Sequence, residues 1–355
     1  MDGKKAIVRQ IWQECFNDSR RWMDMFFSDV YDDEEALVLE YNGRAVSSML
    51  LRRYAMSLHG EEIPAGYVSG AATRRHDRGH GYMSELIRIA LRQARHRGDL
   101  LVSLIPASRR LFGFYGRLGF STVFYIKEDR YTSRHSFAPC GSYTCVDDID
   151  TDEVFDFFRS RELSRDGSFI HSRDDFRSIL KDNLIDGGAV VAIRHEATDD
   201  IVALGFATVD EDDNRVVVKD VLAVDEDASE GLLDQYRRLY PDKSFTVIRP
   251  VCQGAVPIAS RGMARIVNVG ETLAVIARRF PDLKLNIRVS DDLIGDNNAV
   301  FMMDSGQVST TSDCGVRLDL DVTVQTLALI LFSTPEVGDV FGLPSLRPYM
   351  ALMLE

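Results

Sequence analysis

The sequence predicts a mixed α+β chain of more than one domain, and three observations carry that prediction. Ile11, Phe16, Trp22, Met23, Phe26 and Phe27 recur at helical intervals; Asn42-Gly43 separates two strand-like runs; a strand–turn–helix–strand–helix succession comes next. The same order returns loosely over residues 142–250. At 355 residues the chain exceeds one ordinary core, and a prior of roughly 100–200 residues per domain gives two or three.

The opening helices lead into strands over 36–40 and 45–51 that flank Asn42-Gly43, the strongest short hairpin signal because both turn residues tolerate positive φ. A third strand ends near His59-Gly60, residues 63–73 read as a strand of small residues, and 74–81 as a basic, Gly-containing turn. From Tyr82, the residues Leu86, Ile87, Ala90, Leu91 and Ala94 form an apolar helical stripe; Arg95, His96 and Arg97 complement the helix C-terminus and Gly98 stops it. Residues 100–105 have the apolar run of a buried parallel strand, and 108–115 the composition of a short helix.

The middle third repeats the order, with helices over 151–161 and 172–184, the second opened by a Ser172/Asp175 capping pair. Strands over 189–196, 201–209 and 215–224, a helix near 232–240 and a strand over 245–248 complete it. Where the first copy has its Gly-rich turn, this one has Asp225-Glu226-Asp227, whose carboxylates repel a pyrophosphate. From about Arg261 the pattern is a short strand over 264–269, a helix over 271–280, strands over 284–289, 299–303, 307–311 and 316–323, and a helix over 324–332. The expected division is 1–135, 136–255 and 256–355.

The net charge is −13 from 42 Lys+Arg and 55 Asp+Glu. Residues 1–135 hold 21 bases and 17 acids, a balance of +4; the rest hold 21 and 38, a balance of −17. A basic first third suits a polyanionic cofactor, and acidic downstream domains either attract a cationic substrate or serve solubility. Net acidity argues against nucleic acid as partner. The five cysteines, Cys15, Cys140, Cys145, Cys252 and Cys314, show neither CxxC nor Cys/His spacing, so no zinc site or disulfide framework is expected and the thiols read as reduced. No run approaches the ~20 apolar residues of a membrane span, and the N-terminus lacks a signal-peptide core, which makes the cytoplasm the expected location.

The chemistry concentrates in two stretches. Thr73-Arg-Arg-His-Asp-Arg78-Gly79-His80-Gly81-Tyr82-Met83 lies between a strand and a helix, where backbone N–H groups at the positive helix end bind anions. Gly79 and Gly81 permit close approach, and Arg74, Arg75 and Arg78 can add contacts to phosphate oxygens. After the next strand comes Ser108-Arg-Arg-Leu111-Phe-Gly-Phe-Tyr115-Gly-Arg-Leu118-Gly119-Phe120. Together these resemble the GNAT superfamily of N-acetyltransferases. Its cofactor loop, Arg/Gln-x-x-Gly-x-Gly/Ala, stands here as Arg78-x-x-Gly81-x-Met83; its Asn-x-x-Ala-x-x-x-Tyr-x-x-x-Gly-Phe stands as Ser108-x-x-Leu111-x-x-x-Tyr115-x-x-x-Gly119-Phe120. Met83 replaces a small residue, altering packing at the helix start, and Ser108 replaces an amide that touches the cofactor.

The resemblance implies a mixed sheet with two parallel strands splayed apart and acetyl-CoA as co-substrate. Its pantetheine arm would run along the edge ending at Ala71, Ala72 and Thr73, with the pyrophosphate at Arg78, Gly79, His80, Gly81, Tyr82 and Met83 and a further contact at Ser108. Direct attack by an amine then gives an oxyanion held by backbone N–H groups near Thr73, and Tyr115, with an ordinary pKa near ~10, protonates the departing thiolate. No metal is involved. A competent domain, a degenerate copy and an α+β domain of sterol-carrier (SCP2-like) type, opening at Gly262-Met263-Ala264-Arg265, resemble the Eis-type (enhanced intracellular survival) acetyltransferases, which acetylate amines including aminoglycosides.

That likeness implies a small-molecule amine acceptor and a base from the carboxylate of Glu355, which Tyr349, Met350, Leu352, Met353 and Leu354 precede as an apolar tail suited to docking. Glu61 and Glu62 are the fallback bases. His76 and His80 face solvent or phosphate, and Trp12, Trp22, Phe26 and Phe27 are core residues before they are pocket residues. Two other functions stay open: acetylation of protein lysines or N-termini, and carriage of an apolar ligand with a vestigial first domain. The oligomeric state is open too, a homo-oligomer included.

Overall fold

The computed structural model of the protein describes residues 3–185, 187–251, 259–311 and 315–354. Helix α1 (Lys4–Cys15) buries Val8, Ile11 and Trp12. Helix α2 (Arg20–Met25), whose Ser19 cap accepts from the Trp22 amide, runs into a π-helical turn, Phe26–Val30. Trp12, Trp22, Phe26 and Phe27 are all buried, with neighbouring ring centroids 4.8–5.8 Å apart. Their helical spacing reports a core.

Strand β1 (Ala36–Tyr41) turns through Asn42 and Gly43, both at positive φ, into β2 (Arg44–Leu58), and β2 turns through His59-Gly60 into β3 (Glu61–Thr73). The β2–β3 register shifts between Ser48 and Leu50, so Gly70 and Ala71 both stand opposite Met49. Such a bulge bends the strand that carries it. Helix α3 (Tyr82–Arg97) ends on Gly98 at φ +93, and β4 (Leu101–Leu104), α4 (Arg109–Gly116) and β5 (Ser121–Tyr131) complete the unit. The sequence pattern shows no strand at β5, whose register is supplied by partners distant in sequence.

The second unit holds β6 (Tyr143–Cys145), α5 (Asp152–Leu163), β7 (Phe169–Ile170), α6 (Arg173–Ile185), β8 (Ala189–His195), β9 (Ile201–Asp210), β10 (Arg215–Ala223), α7 (Glu226–Leu239) and β11 (Ser244–Pro250). The Ser172/Asp175 pair caps α6 reciprocally, with bonds of 3.0 and 3.1 Å. Helix α7 begins earlier than its apolar stripe, because Asp225 accepts from Ala228 N and caps it.

Strand β12 (Ala259–Ile266) departs from expectation. Read as the opening of the last third, it inserts instead between β4 and β5, with Ala264 opposite Ser103 on one side and Ser121 on the other. One sheet of twelve strands therefore runs β1-β2-β3-β4-β12-β5-β11-β10-β9-β8-β6 among the described residues, with β7 beside β2. The physical reason is edge pairing: β4 and β5 each present an open edge that β12 closes.

The remainder is α8 (Val269–Arg279), β13 (Leu285–Ser290), β14 (Ala299–Asp304), β15 (Gln307–Thr311), β16 (Leu320–Thr323), α9 (Val324–Leu331) and α10 (Pro335–Phe341), with a second sheet ordered β15-β14-β13-β16. Helix α9 packs against β16 and β13 on one side and β12 and β5 on the other. Behind α10 the chain crosses both units: Tyr349 N donates to Gly167 O at 3.1 Å, and Leu352 and Leu354 join Trp12, Trp22, Phe158 and Phe206 in one apolar core. No helix among the described residues is long and apolar enough to cross a membrane.

Candidate active site

The turn from β3 to α3 is held from behind. Arg74 donates to Glu14 Oε2 at 2.8 Å, Gln10 Oε1 at 2.6 Å and Ala45 O at 2.9 Å, while the Arg75 amide donates to Glu14 Oε1 at 2.6 Å. These two arginines anchor the turn to α1, so of the three expected to reach phosphate only Arg78 lines the neighbouring cavity. Arg44 clamps Asp77 through bonds of 2.6 and 2.8 Å. Gly79 and Gly81 stand at φ +85 and +86, and an added Cβ at either meets nothing, so conformation alone demands glycine there. The amides of residues 79–84 donate to no acceptor among the described residues. They lie at the positive end of a helix of 16 residues with no side-chain cap, an arrangement that favours anions.

Beside it the sheet opens. Strand β3 pairs with β4 at Ala65, Gly66 and Tyr67, and the β4-facing edge of residues 68–73 has no strand partner among the described residues. A cavity of about 770 Å³ lies against this edge, lined by Ala71, Ala72, Thr73, Arg78, Gly79, Gly81, Tyr82, Met83 and Tyr115. His80 and Ser108 are not on its wall. His80 is exposed and stacks on Tyr82, and Ser108 is the exposed cap of α4, with no side-chain bond. The wall also includes Cys15, Phe16, Arg110, Phe114 and Arg117, which sequence reasoning missed. Cys15 and Phe16 arrive from the end of α1 by tertiary packing and carry no local signal.

Tyr115 sits near the end of α4, 7% exposed. Its hydroxyl bonds to nothing among the described residues, and burial pushes the phenol up to about 12. The turn after Tyr115 is fixed from outside: Gln325 of α9 donates to Gly116 O at 3.0 Å and Phe120 O at 2.8 Å. Gly119 stands at φ +82, and an added Cβ would lie 1.9 Å from the Arg265 guanidinium of β12. The Tyr-x-x-x-Gly-Phe spacing thus has a physical cause, a left-handed turn with a buried arginine laid across it.

Residues 2–123 match the family described as acetyltransferase (GNAT) domain. The first unit is a GNAT acetyltransferase domain. The chain is accordingly an enzyme, an acyl-CoA-dependent N-acetyltransferase. Over its whole length it resembles solved structures at low identity. A GCN5-related N-acetyltransferase from Anabaena variabilis superposes with a TM-score of 0.76 at 16% identity, covering 97% of this chain and 95% of that one. One from Kribbella flavida gives 0.74 at 14%, covering 100% and 97%. Eis1 from Mycobacterium abscessus gives 0.71 at 16%, covering 98% and 92%. These likenesses show the fold, from which the mixed α+β architecture follows. No curated protein matches the chain.

The acetyltransferase carries a second strand split, between β10 and β11, which pair only from Arg215 to Val218. Its helix terminus is closed from within. Asp227 accepts from the Cys140 amide at 2.7 Å, the Gly141 amide at 2.9 Å and the Tyr143 hydroxyl at 2.5 Å, and these bonds hold its carboxyl below the usual range. An anion finds a fixed negative charge there.

Of the candidate bases, Glu355 lies outside the described residues. The tail before it is placed: Leu354 is buried, and its carbonyl accepts from the Ser69 hydroxyl at 3.3 Å, beside the bulge. Glu61 and Glu62 are ruled out by position, since they open β3 while the cavity lies at its far end, roughly 40 Å away for an extended strand of that length. They pair instead with Arg278 at 2.9 Å and Arg159 at 3.0 Å. His76 is exposed. A second cavity of about 480 Å³ is lined by Asn17, Asp18, Ser19, Trp22, Asp182 and the tail residues Met350–Met353, and the chain enters its wall directly after Cys15 and Phe16 of the first cavity. Among the described residues no group of three or more His, Cys, Asp or Glu is placed to hold a metal.

Proposed function

We propose that the enzyme transfers acetyl from acetyl-CoA to a primary amine of a small cationic acceptor, by direct attack within a ternary complex. One observation carries the reading: a helix-terminal turn with unpaired amides and a buried, unpartnered phenol line the same cavity. The fit to acetyl-CoA is chemical. Free amides at 79–84 and Arg78 suit a pyrophosphate, the open β3 edge offers backbone groups to the amides of a pantetheine arm, and acetyl-CoA supplies the activated thioester.

Edge amides of residues 68–73 receive the oxyanion of the tetrahedral adduct. Tyr115 donates to the sulfur as negative charge develops on it. With its phenol pushed up to about 12 against a thiol near ~8.5, it acts chiefly as a hydrogen-bond donor, since complete proton transfer to the thiolate runs uphill at equilibrium. Glu355, the residue after Leu354, is the proposed base. Its deletion should abolish the acidic limb of kcat/KM; an unchanged profile from folded protein removes it from the mechanism.

The second cavity is the proposed acceptor site. Asp18 and Asp182 put carboxylates on its wall; Asp182 accepts from Trp22 Nε1 at 2.8 Å and lies against Lys219, and Arg261 shares the wall. The acidic balance beyond residue 135 supports a cationic acceptor, the cytoplasm is the proposed location, and the last third is the proposed SCP2-like unit of an Eis-type enzyme with bounds 1–135, 136–255 and 256–355. Calorimetry with CoA, then thiol release from acetyl-CoA against a polyamine and aminoglycoside panel, tests the reading. No heat with CoA at millimolar concentration overturns it, and stabilisation by fatty ligands alone points to a carrier.

A further inference from the structure

The cofactor cavity contains a thiol that the acetyl-transfer chemistry does not use. Cys15 ends α1, is half-buried, and directs Sγ at Thr73 O, 3.3 Å away. It shares the cavity wall with Thr73, Arg78 and Tyr115. The adjacent Glu14 is gripped through its side chain by Arg74 and the Arg75 amide, and through its carbonyl by Arg75 Nε at 2.9 Å, so the thiol is fixed relative to the anion-binding turn. The Tyr115 side chain, more than nine-tenths buried and with no partner for its hydroxyl among the described residues, lines the same space and independently marks it as a ligand site. Cys140 and Cys145 are by contrast exposed and lie in the second unit.

We propose that Cys15 is a redox-addressed modification site for CoA disulfide, and that the adduct switches the enzyme off; this rests on the acetyl-CoA reading of the cavity. The step is thiol–disulfide exchange. Cys15 gives up its proton to water and its sulfur bonds to one sulfur of CoA disulfide; the S–S bond breaks, and the second CoA leaves as a thiolate that takes up a proton. The exchange is redox-neutral overall: the Cys15 sulfur rises from the thiol to the disulfide level as the departing CoA sulfur falls from the disulfide to the thiol level, and the other CoA stays in the mixed disulfide. The rate advantage comes from tethering. A nucleotide anchored at residues 78–84 holds the disulfide beside the thiol at an effective concentration that a small, unanchored disulfide does not reach. The bound CoA then fills the acetyl-CoA site until a reductant releases it.

The test exposes the full-length protein to CoA disulfide or to glutathione disulfide at equal concentration and follows each cysteine by peptide mass mapping, with residual acetyl transfer measured in parallel. One CoA on Cys15 is expected, formed about tenfold or more faster than the glutathione adduct at the same residue. Activity should fall in step with Cys15 occupancy, excess acetyl-CoA should slow the reaction, and dithiothreitol should restore activity. In Cys15→Ser the fraction of starting activity lost to CoA disulfide should disappear. Equal rates for the two disulfides, or modification confined to other cysteines, overturns the proposal. Calorimetry with CoA on the same preparation separates the two failures: CoA binding without a Cys15 adduct sinks the switch alone, and no CoA binding sinks the cavity assignment with it.

Discussion

The Tyr115 ring is buried while its hydroxyl, unpartnered among the described residues, opens on the cavity and is left to a ligand or water. Tyr115→Phe keeps the ring packed against Phe114 and Phe120 and removes only that hydroxyl. We expect kcat to fall by about 100-fold while CoA affinity stays within a few-fold. Because the phenol stays protonated up to about 12, the kcat/KM profile between about pH 6 and 10 should keep its shape in the variant and lose only height; a missing basic limb would mean that Tyr115 ionises in turnover. That Gly81 and Tyr115 come to one cavity was legible in the sequence because each is set by local spacing. Cys15 and the diversion of Arg74 and Arg75 to Glu14 were not, since both depend on where α1 docks.

The bulge in β3 is where strand geometry serves the site. Gly70 stands at φ +60 with the Trp12 indole lying where a side chain would go, 1.9 Å from an ideal Cβ. Gly70→Ala therefore adds left-handed strain of about 1–2 kcal/mol to overpacking of about 1–3 kcal/mol. Urea unfolding should show a loss of about 2–5 kcal/mol; a loss under 1 kcal/mol would show that the bulge straightens cheaply. Hairpins, caps and helices were legible because each is specified within a few residues: Asn42-Gly43, Ser172 with Asp175, Gly98. The bulge was not. A lone glycine in a run of small residues does not announce which partner strand slips against it.

Across the molecule, Arg265 and Asp291 tie the large sheet to the last third. Both side chains are almost wholly buried, joined at 2.5 Å, and Asp291 also accepts from Asn297 at 2.9 Å and from the Leu293 and Ile294 amides. Arg265→Met strands a buried carboxylate and should cost about 3–5 kcal/mol, much of it recovered in Arg265→Met/Asp291→Leu. Burial works to raise the Asp291 pKa, yet the Arg265 charge and these hydrogen bonds hold it below the usual range. Its stabilisation is thus present above the unfolded value near ~3.9 and is lost as pH falls through the folded one. Acid unfolding below about pH 4 should be steeper for the wild type than for the double variant. Residues 1–135 alone should not yield a monodisperse, CoA-binding fragment, because β4 and β5 would keep bare edges where β12 and β11 belong. Light scattering and circular dichroism decide this. The order of elements in the first and middle thirds was legible; a strand from residue 259 onward entering between β4 and β5 was not, since no local pattern encodes so distant a partner.

That inserted strand also sets a timetable. Every described wall residue of the cavity beside the β3 edge has been synthesised once the ribosome passes Tyr131, yet the strand between β4 and β5 begins only at Ala259. At about 5–20 residues per second the gap lasts on the order of ten seconds. Throughout that interval the nascent catalytic unit trails two adhesive strand borders, so the cell's holding chaperones, rather than the substrate, are the first partners it should meet.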